Sequence, residues 1–464
     1  MAANNDVRKT SAAVDGMAND WSLIEALMGG TDAMRKAGKR YLPQWPAEDS
    51  DSYLARLATA TLFPAYSRTV SVLTGKPFSK PLTIGEDVPP KIQAWLENVD
   101  LEGRNLHAFA SDLCAEALGY GLAGILVDCP KGLEVRTVAE EQRAGIRPYF
   151  VHIHHGQILG WRAEKQNGKM ELTQLRVLEV VDVPDGEFHV AQVEQVRVLE
   201  PGKWTIYRKA KDQTQTDVWV IVEEGVTTIG VIPFVPVYGF RKDFMIGSPP
   251  MVELAHANVE HWQSKSDQQT ILHIARVPML FAKDIGSETQ ITVGAGAMIS
   301  ASSKDADVRY VEHSGKAIEA GRLSILDLED RMRQIGAELL VIKPGNTTEV
   351  QTLADNEQGM CDLQRIVQTL ENALDQAIAL MGLWVKETDT GHVTIYSDFG
   401  AATLAEASAE LLHKMKADGS LSFETLLREM QRRGILSPDV DIEKEMQRAL
   451  AEKPVETEQV QVRV

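Results

Sequence analysis

A long run of helix-forming residues between positions 348 and 386 limits the folds open to this chain more than any other feature. Its apolar positions alternate spacings of three and four residues, which places them on one stripe of a helix. The stripe contains Val367, Leu370, Leu374, Ala377, Met381 and Trp384. At about 1.5 Å per residue, a single helix over this range is about 57 Å long. We therefore predict a spine helix over 349–388 whose seam packs against neighbouring helices.

The composition is that of an ordinary globular protein of 464 residues, with 44% hydrophobic and 25% charged residues. No run of about 18 apolar residues occurs, so we predict no transmembrane helix and no contact with a membrane. Cys114, Cys129 and Cys361 lack the spacing of metal ligands, and their odd number argues against a disulfide framework. We expect buried thiols, two or three compact units and a loose polar arm at the N-terminus.

The chain is acidic, since 66 Asp and Glu residues outnumber 48 Lys and Arg residues and give a formal charge of −18. Proteins that grip nucleic acid present a basic stripe to the phosphates, and no such stripe occurs in this sequence. An acidic surface suits a passage through which DNA slides without sticking. It suits equally a protein that is merely soluble, so charge alone does not choose between these functions.

Strands dominate the first half of the chain after a helical beginning. Helices broken by prolines come first, and a helix over 106–118 then leads into a short strand over 124–127. Between 148 and 237, β-branched and aromatic residues alternate with turn signals, which predicts several strands.

The second half is mainly helical. Ser248 is placed as the N-cap of a helix that ends near position 277, with Pro249 in its first turn. A small-residue β insert, a second helix, a polar turn and the spine helix follow. The strand HVTIYSDFG then precedes two helices, over 423–433 and 442–451, so the fold class is α+β.

The motifs that usually carry catalysis are absent or stand in the wrong context. GYGLAG at 119–124 has the glycine spacing of a dinucleotide fingerprint, but a helix precedes it and a strand follows, the reverse of the required order. We interpret it as a helix stop before a tightly packed strand. The sequence contains no Walker loop and no G-x-S-x-G motif. We therefore predict that the protein is not an enzyme and uses no cofactor.

Three histidines between 152 and 155 form the one cluster that suggests a metal. On a strand, His152 and His154 share a face, whereas His155 points the other way. Zinc needs three or four ligands, and no acidic residue or cysteine lies nearby at ligand spacing. We therefore expect no metal site, and a metal-dependent enzyme that uses this cluster stays as a minor alternative.

The order of elements resembles that of the portal proteins of tailed bacteriophages, and the similarity covers nearly the whole chain. It is greatest to a portal subfamily long known only as a domain of unknown function. The segments that carry it are YLPQWPAEDSDSYLARLATATLFPAYSRTVSVLTGKPFSK, VDLEGRNLHAFASDLCAEALGYGLAGILVDCP, IPFVPVYG, SPPMVELAHANVEHWQSKSDQQTILHIARVPML, VEHSGKAIEAG, LEDRMRQIGAELL and DFG. Their combined order is more specific than any one segment.

This resemblance implies a portal-type architecture, in which an α/β wing surrounds paired stem helices. The expected parts are a wing over 1–247, stem helix 1 over 248–277, a small β-containing clip over 278–315, stem helix 2 over 316–341, a tunnel loop over 342–348, the spine helix over 349–388, a returning wing strand over 389–401, and a helical crown with a disordered tail over 402–464.

The resemblance also implies which residues meet DNA and which meet other helices. The tunnel loop would present Lys343, Pro344, Gly345, Asn346, Thr347 and Thr348 to DNA, although an ordinary turn between helices explains these residues equally well. The stem residues expected to face a water-filled channel are Glu253, Glu260, Gln263 and Asp267. The spine seam of Val367, Leu370, Leu374, Met381 and Trp384 could lie within one subunit, between subunits, or both.

The function that the resemblance implies is structural. A portal forms a homo-oligomeric ring of about twelve subunits at one capsid vertex. It is the conduit for packaging and ejecting double-stranded DNA, without sequence specificity, and it binds the terminase large subunit, head–tail adaptor proteins, scaffold and the major capsid protein. We expect it in the virion, after assembly in the host bacterial cytoplasm. The main alternative is another phage head or head–tail connector protein.

Overall fold

The computed structural model describes residues 6–130, 146–166, 168–211, 217–276, 279–283, 307–311, 315–340, 360–398, 422–432 and 440–451, together with positions 305, 416, 418 and 436. The helices are α1 (Ala12–Met28), α2 (Gly30–Ala37), α3 (Ser50–Thr59), α4 (Ala65–Gly75), α5 (Pro90–Leu96), α6 (Leu106–Tyr120), α7 (Val252–Ala275), α8 (Lys316–Glu338), α9 (Asp362–Val385), α10 (Phe423–Arg432) and α11 (Ile442–Ala451). The strands are β1 (Thr83–Ile84), β2 (Leu122–Asp128), β3 (Tyr149–Ile153), β4 (Ile158–Gln166), β5 (Lys169–Asp185), β6 (His189–Glu200), β7 (Lys203–Lys211), β8 (Asp217–Val226), β9 (Phe234–Tyr238), β10 (Phe240–Asp243), β11 (Ile246–Ser248), β12 (Met279–Lys283), β13 (Asp307–Val311) and β14 (Val393–Thr394). The α+β prediction is confirmed. Of the helices described, none has the length and apolar character that crossing a membrane requires.

A buried three-stranded antiparallel sheet in the order β3–β2–β9 lies at the centre of the first half. Its middle strand, β2, is buried from Leu122 to Val127, which explains why it appears in the sequence as a continuous apolar run. Helices α6 and α9 pack on this sheet. One hydrophobic core joins it to helices from both halves of the chain. Cys114 and Cys361 are buried thiols in that core, as expected.

The strands predicted over 148–237 form β3, a five-stranded antiparallel meander in the order β4–β5–β6–β7–β8, and β9. Strands β5 and β6 make a long hairpin in which Asp185 pairs with His189 around the turn. Leu175 and Val177 are buried near its base, whereas Phe188 at the tip is 84% exposed. The hairpin therefore packs at one end and projects from the body at the other.

The GYGLAG segment ends α6 and packs backbone against backbone. Gly121 has a left-handed φ of 82°, and its N–H donates to the Ala117 carbonyl at 2.9 Å. A Cβ atom on Gly121 would overlap the backbone of Ser248 and Pro249, which lead into α7. The interpretation of this segment as a helix stop before a packed strand is confirmed.

The start of α7 differs from the prediction. Ser248 is the last residue of β11 and not an N-cap, and the first helical hydrogen bond runs from the Ala255 N–H to the Met251 carbonyl at 3.2 Å. Proline disfavours helical backbone in the residue that precedes it, and Ser248 and Pro249 are each followed by a proline. The helix therefore begins only after the second proline.

The predicted spine helix over 349–388 is also wrong at its start. Cys361 is extended, with φ −73° and ψ 162°, and its N–H donates to the side-chain oxygen of Gln364 at 2.8 Å. This reciprocal cap begins a new helix at Asp362, so α9 has 24 residues and a length of about 36 Å. Positions 349–359 lie outside the described residues.

The returning strand predicted over 389–401 is much shorter than expected. Only Val393 and Thr394 pair with β1, and Phe399 and Gly400 lie outside the described residues. The next amide, that of Ile395, donates to the Glu371 carboxylate at 2.6 Å instead of to a strand. Because a side chain of α9 takes this donor, the ladder ends there.

The two helices predicted at the C-terminal end are present within a residue of their expected bounds. They are α10 and α11, which contact each other. The stretch from 402 to 415 and the tail from 452 onward lie outside the described residues.

Replacing Gly121 with alanine is expected to lower the free energy of unfolding by about 2–5 kcal/mol, because left-handed strain adds to overpacking. Gly168→Ala is the matched control: its φ is also 82°, but no atom lies within 4 Å of the added Cβ. That control should lose only about 1–2 kcal/mol. Urea denaturation followed by tryptophan fluorescence measures both. Equal losses in the two variants would show that the close packing at Gly121 contributes nothing.

Candidate functional site

Helices α7 and α8 form an antiparallel hairpin. The His261 Nε2 lies 3.3 Å from the Glu329 carboxylate, and the Gln268 side-chain amide donates to the Ile318 carbonyl at 2.8 Å. The residue further along α7 contacts the residue nearer the start of α8. The two helices therefore run in opposite directions. At their far end, β12 and β13 pair as an antiparallel ribbon from Met279↔Val311 to Lys283↔Asp307. The result is a helical hairpin about 36 Å long with a β ribbon at its tip.

A buried asparagine anchors this hairpin to the first half of the chain. The Asn258 side-chain oxygen accepts from the Tyr66 N–H at 3.0 Å, and its nitrogen donates to the Phe63 carbonyl at 2.8 Å. Asn258 is only 1% exposed and its hydrogen bond with the Tyr66 N–H is buried, so water is no substitute partner for that N–H. Trp262, one turn along α7, is fully buried in the same contact region. The direction of the hairpin is therefore set by α4.

An arginine forms a second anchor. The Arg56 guanidinium donates two hydrogen bonds of 2.7 Å to the Glu48 carboxylate and a third, of 2.8 Å, to the Pro43 carbonyl. It also lies 4.3 Å from the centre of the Trp45 ring. From this fixed position it reaches Asp267 of α7 at 3.8 Å. The hydrogen bond from Arg56 holds the pKa of Glu48 below its usual range.

The four residues predicted to face a channel are not equivalent in the structure. Glu253 and Glu260 are exposed, and Glu260 lies 4.0 Å from Arg331 of α8. Asp267 is half exposed beside Arg56, whereas Gln263 is partly buried and donates to the Tyr41 carbonyl at 3.0 Å. Glu253, Glu260 and Asp267 follow one another at seven-residue intervals and so share one face of α7. Gln263 belongs instead to the contact with the first half of the chain.

Large apolar side chains are exposed along the outer part of the hairpin. Leu323 is 48% exposed and Leu326 is 42% exposed on α8. Ile271 on α7 and Phe281 on β12 are also exposed. Four such side chains on one hairpin leave apolar surface that the described part of the chain does not cover.

The predicted tunnel loop, residues Lys343 to Thr348, lies outside the described residues, as do all positions from 341 to 359. The Leu363 N–H donates to the Leu339 carbonyl at 3.0 Å. A groove of about 400 Å³ lies at this junction, and Glu253, Glu338 and Asp362 contribute to its walls. The chain therefore leaves α8 and returns to α9 at the same point.

The predicted seam of α9 is core within the chain. Val367, Leu370, Leu374 and Met381 are buried, and Trp384 is partly buried. They belong to the core that includes the central sheet, with which α9 packs through β9 and β2. Within the chain this stripe therefore packs mainly on the central sheet, and α9 also contacts α5 and α6.

A second cluster joins two histidines to a carboxylate that sequence spacing did not reveal. Glu116 of α6 accepts from the His154 ring at 3.2 Å through Oε2. Its Oε1 accepts from the His155 N–H at 3.1 Å and from the His155 ring. His152 lies beside His154, with ring centres 4.2 Å apart. Glu116 is separated by 36 positions from His152, so only the packing of α6 on β2 and β3 brings them together.

The pKa values of His152 and His154 are shifted in opposite directions by their surroundings. Burial and, to a smaller extent, the neighbouring His154 lower the pKa of His152 to about 4. The hydrogen bond with Glu116 raises the pKa of His154. Burial acts to raise the pKa of Glu116, but hydrogen bonds from His154 and His155 outweigh it and hold that pKa well below its usual range. At neutral pH the cluster therefore contains a neutral His152 and an ionised Glu116.

A comparison with protein families found one similarity. Residues 250–385 match the family described as "Domain of unknown function (DUF4055)". The match covers the hairpin, the ribbon and α9, which is less than a third of the chain. None of the curated proteins matches the chain.

Solved structures give weak similarities. A chain in "Neck of native GTA particle computed with C12 symmetry" has a TM-score of 0.40 and 12% identity, covering 80% of this chain and 89% of that one. A chain in "Virion of native gene transfer agent (GTA) particle" has a TM-score of 0.38 and 13% identity, covering 86% of this chain and 98% of that one. These scores are too low to establish a shared fold.

The Asn258→Ala variant is expected to lose about 1–3 kcal/mol of unfolding free energy, because the buried Tyr66 N–H loses its partner, whereas the Phe63 carbonyl keeps the Ala65 N–H at 2.8 Å. Asn19→Ala is the control, since the Asn19 side chain donates to the Gly16 carbonyl at an exposed position. It should change stability by less than about 0.5 kcal/mol. Chemical denaturation of both variants, followed by circular dichroism, tests the anchor. A loss in Asn258→Ala as small as that in the control would contradict it.

Acid should weaken the Arg56 anchor. Because the pKa of Glu48 is lowered in the folded chain, its contribution to stability is complete above the unfolded value of 4.5 and is lost as pH falls through the folded value. Glu48→Gln should therefore melt at a lower temperature than the wild type at pH 7, with a smaller difference at pH 3. Glu187→Gln, an exposed change at the β5–β6 tip, should show no such narrowing. A constant difference between Glu48→Gln and wild type across this range would argue against the ion pair.

Proposed function

We propose that this chain is the subunit of a phage portal, a ring at the capsid vertex through which DNA is packaged and ejected. The observation that carries the proposal is the α7–α8 hairpin, which exposes apolar side chains that none of the described residues covers and has a β ribbon at its tip. In this proposal α7 and α8 are the stem helices and the β12–β13 ribbon is the core of the clip. Residues 1–247 form the wing, 342–348 the tunnel loop, and α10 and α11 part of the crown.

Ring formation needs two different faces on every subunit, because each copy contacts one neighbour on either side. The apolar surface of α8 around Leu323 and Leu326 supports one of these faces. The seam of α9 is already buried inside the chain and is not available for the other. The stem is therefore the main contact between subunits. A ribbon of two short strands is marginal alone and gains from packing against neighbouring copies.

The excess of acidic residues supports a channel through which DNA passes and argues against tight binding of DNA. Glu253 and Glu260 are exposed on one face of α7, and the half-exposed Asp267 continues that face. Carboxylates facing phosphate create no salt-dependent trap, so DNA of any sequence slides past them. The proposed ring acts without its own catalysis. It offers docking surfaces to the terminase large subunit, the head–tail adaptors, scaffold and the major capsid protein.

The first test is the mass and shape of the purified protein, by mass photometry and negative-stain images at near-physiological salt. Rings of about twelve subunits with a central hole support the proposal. A compact dimer at all concentrations contradicts it. Rings that fail to stimulate the ATPase of a cognate terminase in a packaging assay would favour another head–tail connector component.

Leu323→Glu combined with Leu326→Glu should reduce the ring fraction at micromolar subunit concentration by at least about tenfold, because two charges would be buried at the contact between subunits. Phe188→Glu is the matched control, since Phe188 is 84% exposed at a hairpin tip remote from the stem. It should assemble as the wild type does. Circular dichroism of the monomer verifies that the double variant folds. If the double variant forms rings as readily as the control, the stem does not supply the interface.

A further inference from the structure

The cluster of Glu116, His152 and His154 has the arrangement of a cation site. Each residue offers one ligand atom, and the three ligand atoms all lie within 4.8 Å of one another. They come from α6, from β3 and from the residue that follows β3 by one position. We propose that these three side chains bind a divalent transition-metal ion of the zinc class. This proposal is independent of the ring and of the stem.

The carboxylate of Glu116 is oriented for this role. Its Oε1 accepts both the backbone N–H and the ring nitrogen of His155. Its Oε2 interacts with the ring of His154 at 3.2 Å. One oxygen therefore holds the carboxylate in place, and the other faces the two remaining histidines. His155 is itself stacked on the Tyr120 ring, with centres 3.7 Å apart, and so acts as the residue that orients a ligand.

His152 supplies the strongest single indication. Its Nε2 atom is buried and has no hydrogen-bond partner among the described residues. A buried polar atom without a partner is costly, and a metal bond satisfies it. On the other side of the cluster His154 is exposed, which gives an ion a path from solvent.

The ligand chemistry selects the class of ion. Two imidazoles and one carboxylate suit zinc and its transition-metal neighbours, whereas magnesium and calcium prefer oxygen ligands alone. Zinc ligands at about 2.0–2.1 Å stand about 3.4 Å apart in a tetrahedron, so the cluster must close by no more than about 1.5 Å. The His154 ring, which is exposed, can rotate to bring its own ligand atom closer. Three protein ligands leave a fourth position for water.

The bound ion would link elements that are distant in sequence. Glu116 belongs to α6 and His152 to the edge of the central sheet, and His155 extends the group to Glu25 of α1 at 3.3 Å. A metal at this point fastens the helical layer to the sheet. Its expected effect is to stabilise the first half of the chain.

The test uses the full chain, stripped with a chelator and titrated with cobalt(II), whose visible absorption reports its coordination, and with zinc in competition. We expect one ion per chain and a melting temperature that rises with zinc. His154→Gln should lower the affinity at least about tenfold. His392→Gln is the matched control, because the exposed His392 also bonds a carboxylate, that of Asp375, at 3.0 Å. It should bind as the wild type does.

Three results would overturn the proposal. The first is a wild-type chain that takes up no stoichiometric cobalt(II) or zinc. The second is equal affinity in His154→Gln and the wild type, which would place the ion elsewhere. The third is stabilisation by calcium or magnesium as large as that by zinc. If His154→Gln does not fold, the cobalt(II) spectrum of the wild type still decides, because imidazole and carboxylate ligands distinguish this site from aqueous cobalt.

Discussion

A single buried amide, that of Asn258, sets the relation between the two halves of this protein. It accepts from the buried Tyr66 N–H, for which water is no substitute partner, and donates to the Phe63 carbonyl just before α4. Such a pairing tolerates little sliding, because a shift of an ångström breaks both hydrogen bonds at once. The buried side chain of Trp262 then adds apolar contact area to this interface, and the ion pair between Arg56 and Asp267 adds a charge interaction. Because these contacts fix the base of the α7–α8 hairpin, the hairpin projects in a single direction.

Local pattern was enough to predict many of the elements. The helix ended by Gly121, the strands between 148 and 237 and the two C-terminal helices all follow from periodicity and turn residues. The error at Ser248 arose from the two prolines that follow it, and the errors at the start of α9 and the end of β14 arose where a side chain competes for a backbone group. Gln364 starts α9 at Asp362, and Glu371 takes the amide of Ile395 from its strand. Such competition depends on contacts that a propensity does not contain.

At the candidate sites, too, some features were predictable from the sequence and others were not. The apolar stripe of α9 was visible in the sequence, but its partner was not, because a helix packs equally well on a sheet or on another helix. Gln263 was predicted to face water, but its side chain donates a hydrogen bond to the Tyr41 carbonyl in the first half of the chain. The link between Glu116 and the histidines was missed altogether. Spacing along one element reveals ligands on that element only, and this group spans a helix and a strand.

The hydrogen bond between Leu339 and Leu363 has a consequence for how the protein changes over evolution. It pins the two ends of the connecting segment to each other, so the segment can gain or lose residues without moving either helix. In general, the entropic cost of joining two fixed ends rises only slowly with the number of residues between them, by about 0.6 kcal/mol for each doubling. The number of residues between positions 340 and 360 can therefore change while the helices on either side keep their register.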